Sequence, residues 1–144
     1  MSASPAETTG SHVVRVDPPE LARPSGFAHA VRAEGAVIIT LSGQTALDAD
    51  GRIVPGDIVV QFEKALTNLL TALRAAGGEP SDLVESTVYL LDIPGYQARG
   101  AEIGAVWRRL VGRAYPAMTG VGVTALWQPE ALVEISGTAV LARG

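Results

Sequence analysis

Glu134 stands in the middle of an alternating run, Val133-Glu134-Ile135-Ser136, near the end of a 144-residue chain. Side chains of a strand point alternately to its two faces, so Val133, Ile135, Ala139 and Leu141 share one face and Glu134, Ser136 and Thr138 the other. Solvated polar faces are common in antiparallel sheets, and a carboxylate on one needs no function. The sharper reading is a face covered by another subunit, with Glu134 inside the resulting cleft, where a carboxyl serves general acid and base chemistry. The two histidines, His12 and His29, are the other candidates for an acid/base pair. The chain has no cysteine, which excludes disulfides, thiolate metal sites and a cysteine nucleophile. Two histidines alone do not make a metal ligand set. Gly35 is isolated, and the glycines around Gly120 lack the strand, turn and helix context of a phosphate-binding loop, so no cofactor is expected.

Composition narrows the classes further. Hydrophobic residues make up 47% and charged residues 18%, with no apolar run near the roughly eighteen residues of a membrane helix. This predicts a soluble protein with one core over residues 12–144, a length sufficient for a single domain. Net charge is -4 and the pI about 5.1, whereas nucleic-acid binding draws on clustered Lys and Arg. The one basic cluster, Arg108, Arg109 and Arg113, fits the negative end of a helix dipole. Neither a nucleic-acid nor a membrane partner is expected. Met1 to Ser11 lacks a basic start and an apolar stretch and reads as a flexible tail, and the cytoplasm is the default address.

The elements that must position Glu134 follow from periodicity. Phe27–Ala33 and Ala36–Ser42 read as strands joined at Glu34-Gly35 into a hairpin, with Ser42 pointing away from the apolar face of Val37, Ile39 and Leu41. Asp57 is a plausible N-cap for a helix whose stripe is Phe62, Leu66, Leu69, Leu73 and Ala76, stopped at Gly77-Gly78. Leu83–Leu91 reads as a strand, and a second helix is predicted from about Gly95 to Val111, with Trp107 as core filler. Two more strands, Met118–Leu126 and Leu132–Leu141, close the chain as a pair. In the first of them Gly120 and Gly122 leave one face nearly bare. Grouped with Thr124, Ser136 and Thr138, that face invites a neighbour.

Distributed strings then carry a resemblance. Ser25-Gly26-Phe27-Ala28-His29-Ala30, Leu41-Ser42-Gly43-Gln44, Gly56-Asp57-Ile58, Ala75-Ala76-Gly77, Thr87-Val88-Tyr89-Leu90, Tyr115-Pro116-Ala117-Met118-Thr119 and Ala131-Leu132-Val133-Glu134-Ile135 occur in the order and spacing of the YjgF/RidA family. Over roughly residues 25 to 142 the chain resembles that family of reactive intermediate deaminases. The resemblance implies an α+β, chorismate mutase-like fold, a six-stranded sheet with two helices packed on one face. It also implies a homotrimer around a central barrel, with three clefts between subunits.

The site residues are carried over one by one. Glu134 matches the glutamate that helps place the hydrolytic water, and Ser42 matches a site serine. Phe27 stands for a tyrosine and Gly100 for a helix asparagine. Met118 occupies the position of the arginine that grips the substrate carboxylate in the best-known members. A bidentate arginine contact comprises two charge-assisted hydrogen bonds of about 1.5 to 3 kcal/mol each, so its loss weakens carboxylate binding by roughly 3 to 6 kcal/mol. Only a swing of Arg113 or of a neighbouring chain would restore it.

The implied pocket has Ser42 and Glu134 as catalytic groups. Phe27, His29, Gly43, Tyr115, Met118, Thr119 and Gly120 bind the substrate, and the crevice is free of cations. This predicts a small-molecule enzyme acting on an imine, enamine or carbonyl intermediate, by hydrolysis or acid/base proton transfer, without the preference for 2-imino acids. The alternative is a non-catalytic ligand-binding or regulatory trimer.

Overall fold

The computed structural model describes residues 12–143; the stretch read as a flexible tail lies outside the described residues. Helix α1, Ile58–Ala75, starts where the Asp57 carboxylate accepts hydrogen bonds from the N–H groups of Val59 and Val60, both at 3.1 Å. It stops at Gly77, whose φ of +98° lies in the left-handed region that glycine enters without a Cβ clash. In between, Phe62, Leu66, Leu69 and Leu73 recur at the helical period and are all buried.

Among the described residues six strands form, divided between two sheets. β1 (Val13–Val16) and β2 (Ala30–Ala33) make an antiparallel ribbon. β3 (Val37–Gln44), β4 (Leu83–Leu90), β5 (Ala117–Gly122) and β6 (Val133–Leu141) make a four-stranded sheet in the order β3-β6-β4-β5. The single six-stranded sheet is thus not present within one chain, and neither is the expected hairpin of β2 with β3. β2 turns back on β1, Val16 facing Ala30, while the Gly35 backbone passes against the end of β6 and delivers β3 to that strand. A Cβ at Gly35 would sit 2.3 Å from the Leu141 carbonyl oxygen. The apolar face of β3 gains more by lying beside β6 under α1 than by pairing with a short, half-exposed β2.

The last two strands are likewise not neighbours. β4 lies between them, antiparallel to β6 and parallel to β5. A parallel pair needs a long crossover, and it is made here by two helices rather than one: α2 (Ile93–Ala98) and α3 (Gly100–Leu110). The break falls at Arg99, next to the poor helix former Gly100. The Arg99 guanidinium spans Asp57 at 2.9 Å and Glu102 at 2.6 Å, tying the break to the start of α1.

One face of the four-stranded sheet is covered. Leu41, Val88, Leu90, Ile135 and Ala139 pack with α1 and with Ile103, Val106 and Trp107 of α3 in one buried cluster. The opposite face is uncovered within the chain, and Ile38 on it is 70% exposed. Among the described residues no helix is long and apolar enough to cross a membrane.

Candidate functional site

Strand alternation places Glu134 on the open face. Its neighbours Val133 and Ile135 are fully buried under α1, and it faces Tyr89 across the ladder. The β3–β6 ladder slips between Leu41 and Gln44, a bulge that leaves Ser42 and Gly43 without register partners. Gly43 is the point of closest approach, since a Cβ there would lie 2.4 Å from Glu134 Oε2. The carboxylate therefore rests on bare backbone, with the exposed Ser42 next along β3. Among the described residues no hydrogen bond or ion pair engages the Glu134 carboxylate. Glu85, the other carboxylate placed on this sheet by β4, differs. It accepts hydrogen bonds from Thr87 Oγ1 at 3.0 Å and Thr138 Oγ1 at 3.1 Å.

Two residues that periodicity did not single out hold this arrangement. Gln61 is buried in α1. Its Nε2 donates to the Glu130 carbonyl at 3.0 Å, and its Oε1 accepts from Leu132 N at 2.8 Å, which clasps the chain just ahead of Glu134. One face further along, Asn68 Nδ2 donates to the carbonyls of Thr45 and Leu47 at 3.0 and 2.9 Å, just beyond Gly43. The signal available in the sequence was polar amides beside an apolar helical stripe, which on a surface helix reads as solvated.

The remaining predicted residues fall elsewhere. Met118 pairs with the fully buried Ser86, and Gly120 with buried Val88, so both lie on the helix-covered side of the sheet. Gly120 and Gly122 therefore do not share a face with Ser136 and Thr138. At Gly122 it is α2 that approaches the bare backbone, where a Cβ would meet Ile93 Cδ1 at 3.1 Å, whereas a Cβ at Gly120 would meet nothing within 4 Å. Thr119 is on the open face, but β4 separates it from Glu134. Phe27 and His29 precede β2 instead of lying in it. Their rings meet edge to face at 5.1 Å, beside the edge of β5, where Ala28 bridges Ala117.

Met118 and Tyr115 line a cavity of about 290 Å³ between α3 and β5. Tyr115 lies nearly parallel to Trp107, with ring centroids 6.4 Å apart. Tyr96 is in the same wall, and burial pushes its phenol above the ordinary range, which keeps it a neutral donor. Arg108 also lines this cavity, so the crevice around Met118 is not free of cations; Arg113 is exposed and does not reach it.

The histidines are far apart. His12 bonds the Val140 carbonyl through Nε2 and lies 3.4 Å from Asp82, whereas His29 Nε2 bonds the Ala22 carbonyl at 2.6 Å. They flank opposite ends of the β1–β2 ribbon. At a strand rise of about 3.4 Å per residue, their backbones are separated by roughly 17 Å along it. They form no acid/base pair.

Residues 20–141 match the family described as Endoribonuclease L-PSP. The chain belongs to the YjgF/RidA family. It is 36% identical to a 2-iminobutanoate/2-iminopropanoate deaminase of Capra hircus over 71% of its own length and 72% of that protein's. The solved Rid family protein YyfB of Yersinia pestis matches with a TM-score of 0.79 at 34% identity, over 90% of this chain and 99% of that one. RidA of an Antarctic Psychrobacter matches with a TM-score of 0.64 at 26% identity, over 83% and 92%. This Rid chain accordingly has the α+β architecture of its structural relatives, with mixed pairing in its main sheet.

Proposed function

We propose that this Rid protein is an enzyme that hydrolyses or tautomerises a small imine, enamine or carbonyl intermediate, with the Glu134 carboxyl as the proton-transferring group. The supporting observation is the unpartnered state of that carboxylate, set on the bare backbone of Gly43, while Glu85, further along the same face, accepts hydrogen bonds from two threonines. A carboxyl without a structural partner is available to the reaction. For an imine, water adds to the C=N carbon and gives up a proton to the carboxylate. The nitrogen takes a proton from the acid, and the carbinolamine collapses to a carbonyl and ammonia. Ser42 and the backbone N–H groups released by the bulge orient the water or the carbonyl oxygen.

The reading includes a homotrimer in the cytoplasm, with no nucleic-acid or membrane partner and no cofactor. Glu134 and Met118 occupy opposite faces of one chain's sheet, and a second copy is the means by which such halves share a cleft. The test is the rate of imine decay, with 2-iminobutanoate generated in situ and with a panel of neutral imines and enamines. Wild type and Glu134→Gln are compared. A loss of about a hundred- to ten-thousand-fold is expected for removal of a general acid/base. Equal rates for the two proteins would exclude Glu134 from the mechanism. Methionine in the place of the arginine favours a second reading, a non-catalytic ligand-binding or regulatory trimer; it predicts no acceleration by wild type of any of these substrates.

A further inference from the structure

Beside Glu134 the open face carries a second group able to exchange hydrogen bonds with a ligand, the phenol of Tyr89. Val88 and Leu90 are buried in the core cluster under the helices, so Tyr89 between them points to the open face. The ladder sets Tyr89 directly opposite Glu134, and Cβ atoms so paired lie about 4.5 to 5.5 Å apart. Among the described residues the Tyr89 hydroxyl makes no hydrogen bond. The one side-chain polar atom among them that is both unpaired and shut off from solvent is Trp107 Nε1. The unpaired Tyr89 hydroxyl is therefore in contact with solvent, although the residue as a whole is half-buried. The other two tyrosines, Tyr96 and Tyr115, belong to the cavity on the covered side.

The carboxyl and the phenol flank the start of β6. A Cβ at Gly43 would come within 3.0 Å of Cγ, Cδ and Oε2 of Glu134, so the carboxyl is tipped from β6 over β3. Tyr89 rises from β4, on the other side of β6. With strands about 4.8 Å apart, β3 and β4 are roughly 10 Å from axis to axis, which separates the carboxyl from the root of the phenol by about the width of a small molecule. None of the four strands contributes a lysine or arginine, so the sheet itself supplies no cation here. Thr87 and Thr138 are committed to Glu85. Ser42 stands on the β3 side of the carboxyl and the phenol on the β4 side.

A C=N or C=O carbon becomes more electrophilic when its heteroatom accepts a hydrogen bond, and a preorganised tyrosine hydroxyl is a donor that stabilises the charge developing there. We propose that Tyr89 is a catalytic residue of the Glu134 site, donating its phenolic O–H to the imine nitrogen or carbonyl oxygen of an uncharged substrate held over β6. Water on the Ser42 side adds to the carbon and yields its proton to Glu134, which passes it to the nitrogen. The phenol keeps its own proton throughout, so the step needs no further reactant. The assignment rests on the reading of Glu134 given above and adds to it the group that polarises the electrophile.

Tyr89→Phe keeps the ring and removes only the hydroxyl. With the neutral imine that wild type turns over fastest, kcat of the folded variant is expected to fall about a hundredfold, as for the loss of one preorganised donor, with KM little changed. The urea midpoint should not move, because the hydroxyl has no partner within the chain. A second readout needs no turnover. Cyclohexanone is added to saturation, and the carbonyl stretch of the bound ketone is read by infrared difference spectroscopy. A hydrogen bond lowers that frequency, so the band should stand lower in wild type and in Glu134→Gln than in Tyr89→Phe.

A wild-type kcat in Tyr89→Phe, or one bound-ketone frequency shared by wild type and Tyr89→Phe, would overturn the proposal. Turnover lost together with oligomeric assembly, read by sedimentation, would assign the hydroxyl to a subunit contact and overturn it as well. If wild type hydrolyses no imine, the function proposed above falls, while a ketone band that depends on Tyr89 retains the contact. If Glu134→Gln abolishes turnover and the ketone band ignores Tyr89, that function stands and the assignment of Tyr89 falls.

Discussion

The two faces of the four-stranded sheet are built from the same strands and do opposite work. On the covered face Val88, Ile135 and Ala139 are closed under α1, and α3 brings Trp107 against them. On the open face Ser42 is exposed, Glu134 and Thr138 are half-buried, and Glu134 carries no partner. Free energy of folding is gained by removing apolar surface from water, which the covered face supplies. A reactive group gains from the reverse, because each hydrogen bond that fixes it structurally competes with substrate. Glu85 and Glu134 make the contrast within one face, the first tied to two threonines and the second to none.

The contrast is tested most severely by Glu134→Gln. Beyond its expected loss of turnover, this variant should unfold within about 0.5 kcal/mol of wild type in urea, as an unpartnered side chain allows. A large loss of stability would break the comparison by revealing a structural role. On the covered face Leu66→Ala should cost about 2 to 5 kcal/mol, measured in the same titration, with turnover per folded molecule unchanged. Gln61→Ala sharpens the link between the faces. It leaves the Leu132 N–H and the Glu130 carbonyl without their partner, at about 1 to 3 kcal/mol, and it should lower turnover as Glu134 loses its register.

The smallest effect is expected at the Asp57–Arg99–Glu102 cluster. Backbone N–H bonds from Val60 and the Arg99 guanidinium hold the Asp57 carboxyl below the usual carboxylate range, and Arg99 does the same for Glu102. A folded-state pKa that is depressed contributes stability above the unfolded value, and the contribution is lost as pH falls through the folded one. Wild type should therefore lose part of its advantage over Asp57→Asn/Glu102→Gln as the pH is taken from neutral into and below the carboxylate range. The gap should be small, because the groups are exposed and salt screens them. Urea midpoints at successive pH values measure it, and a gap that widens on acidification would reverse the assignment.

Much of the placement of Glu134 was legible without coordinates, because alternation is a local property. Once Val133 and Ile135 face a core, their neighbour faces away. The same rule applied to β5 gave the right internal alternation and the wrong partner. Gly120 and Gly122 were correctly set on one face, but that face was matched to Ser136 and Thr138 instead of to Val88 and Ile135. Arg108 was read as a helix-end charge because its sequence neighbours do not reveal that Gly104 and Met118 open a cavity beside it.

The amino-acid order by itself determined α1 with its Asp57 cap and Gly77 stop, the face of β6 that carries Glu134, and membership of the Rid family. Only the tertiary structure decided that β2 folds back on β1, that β4 separates β5 from β6, and that Met118 and Glu134 stand on opposite sides of a sheet. The physical reason is that caps and periodicities arise from contacts within a few residues. The phase of one strand against another is set by packing between distant segments, and a shift of a single residue there exchanges the two faces.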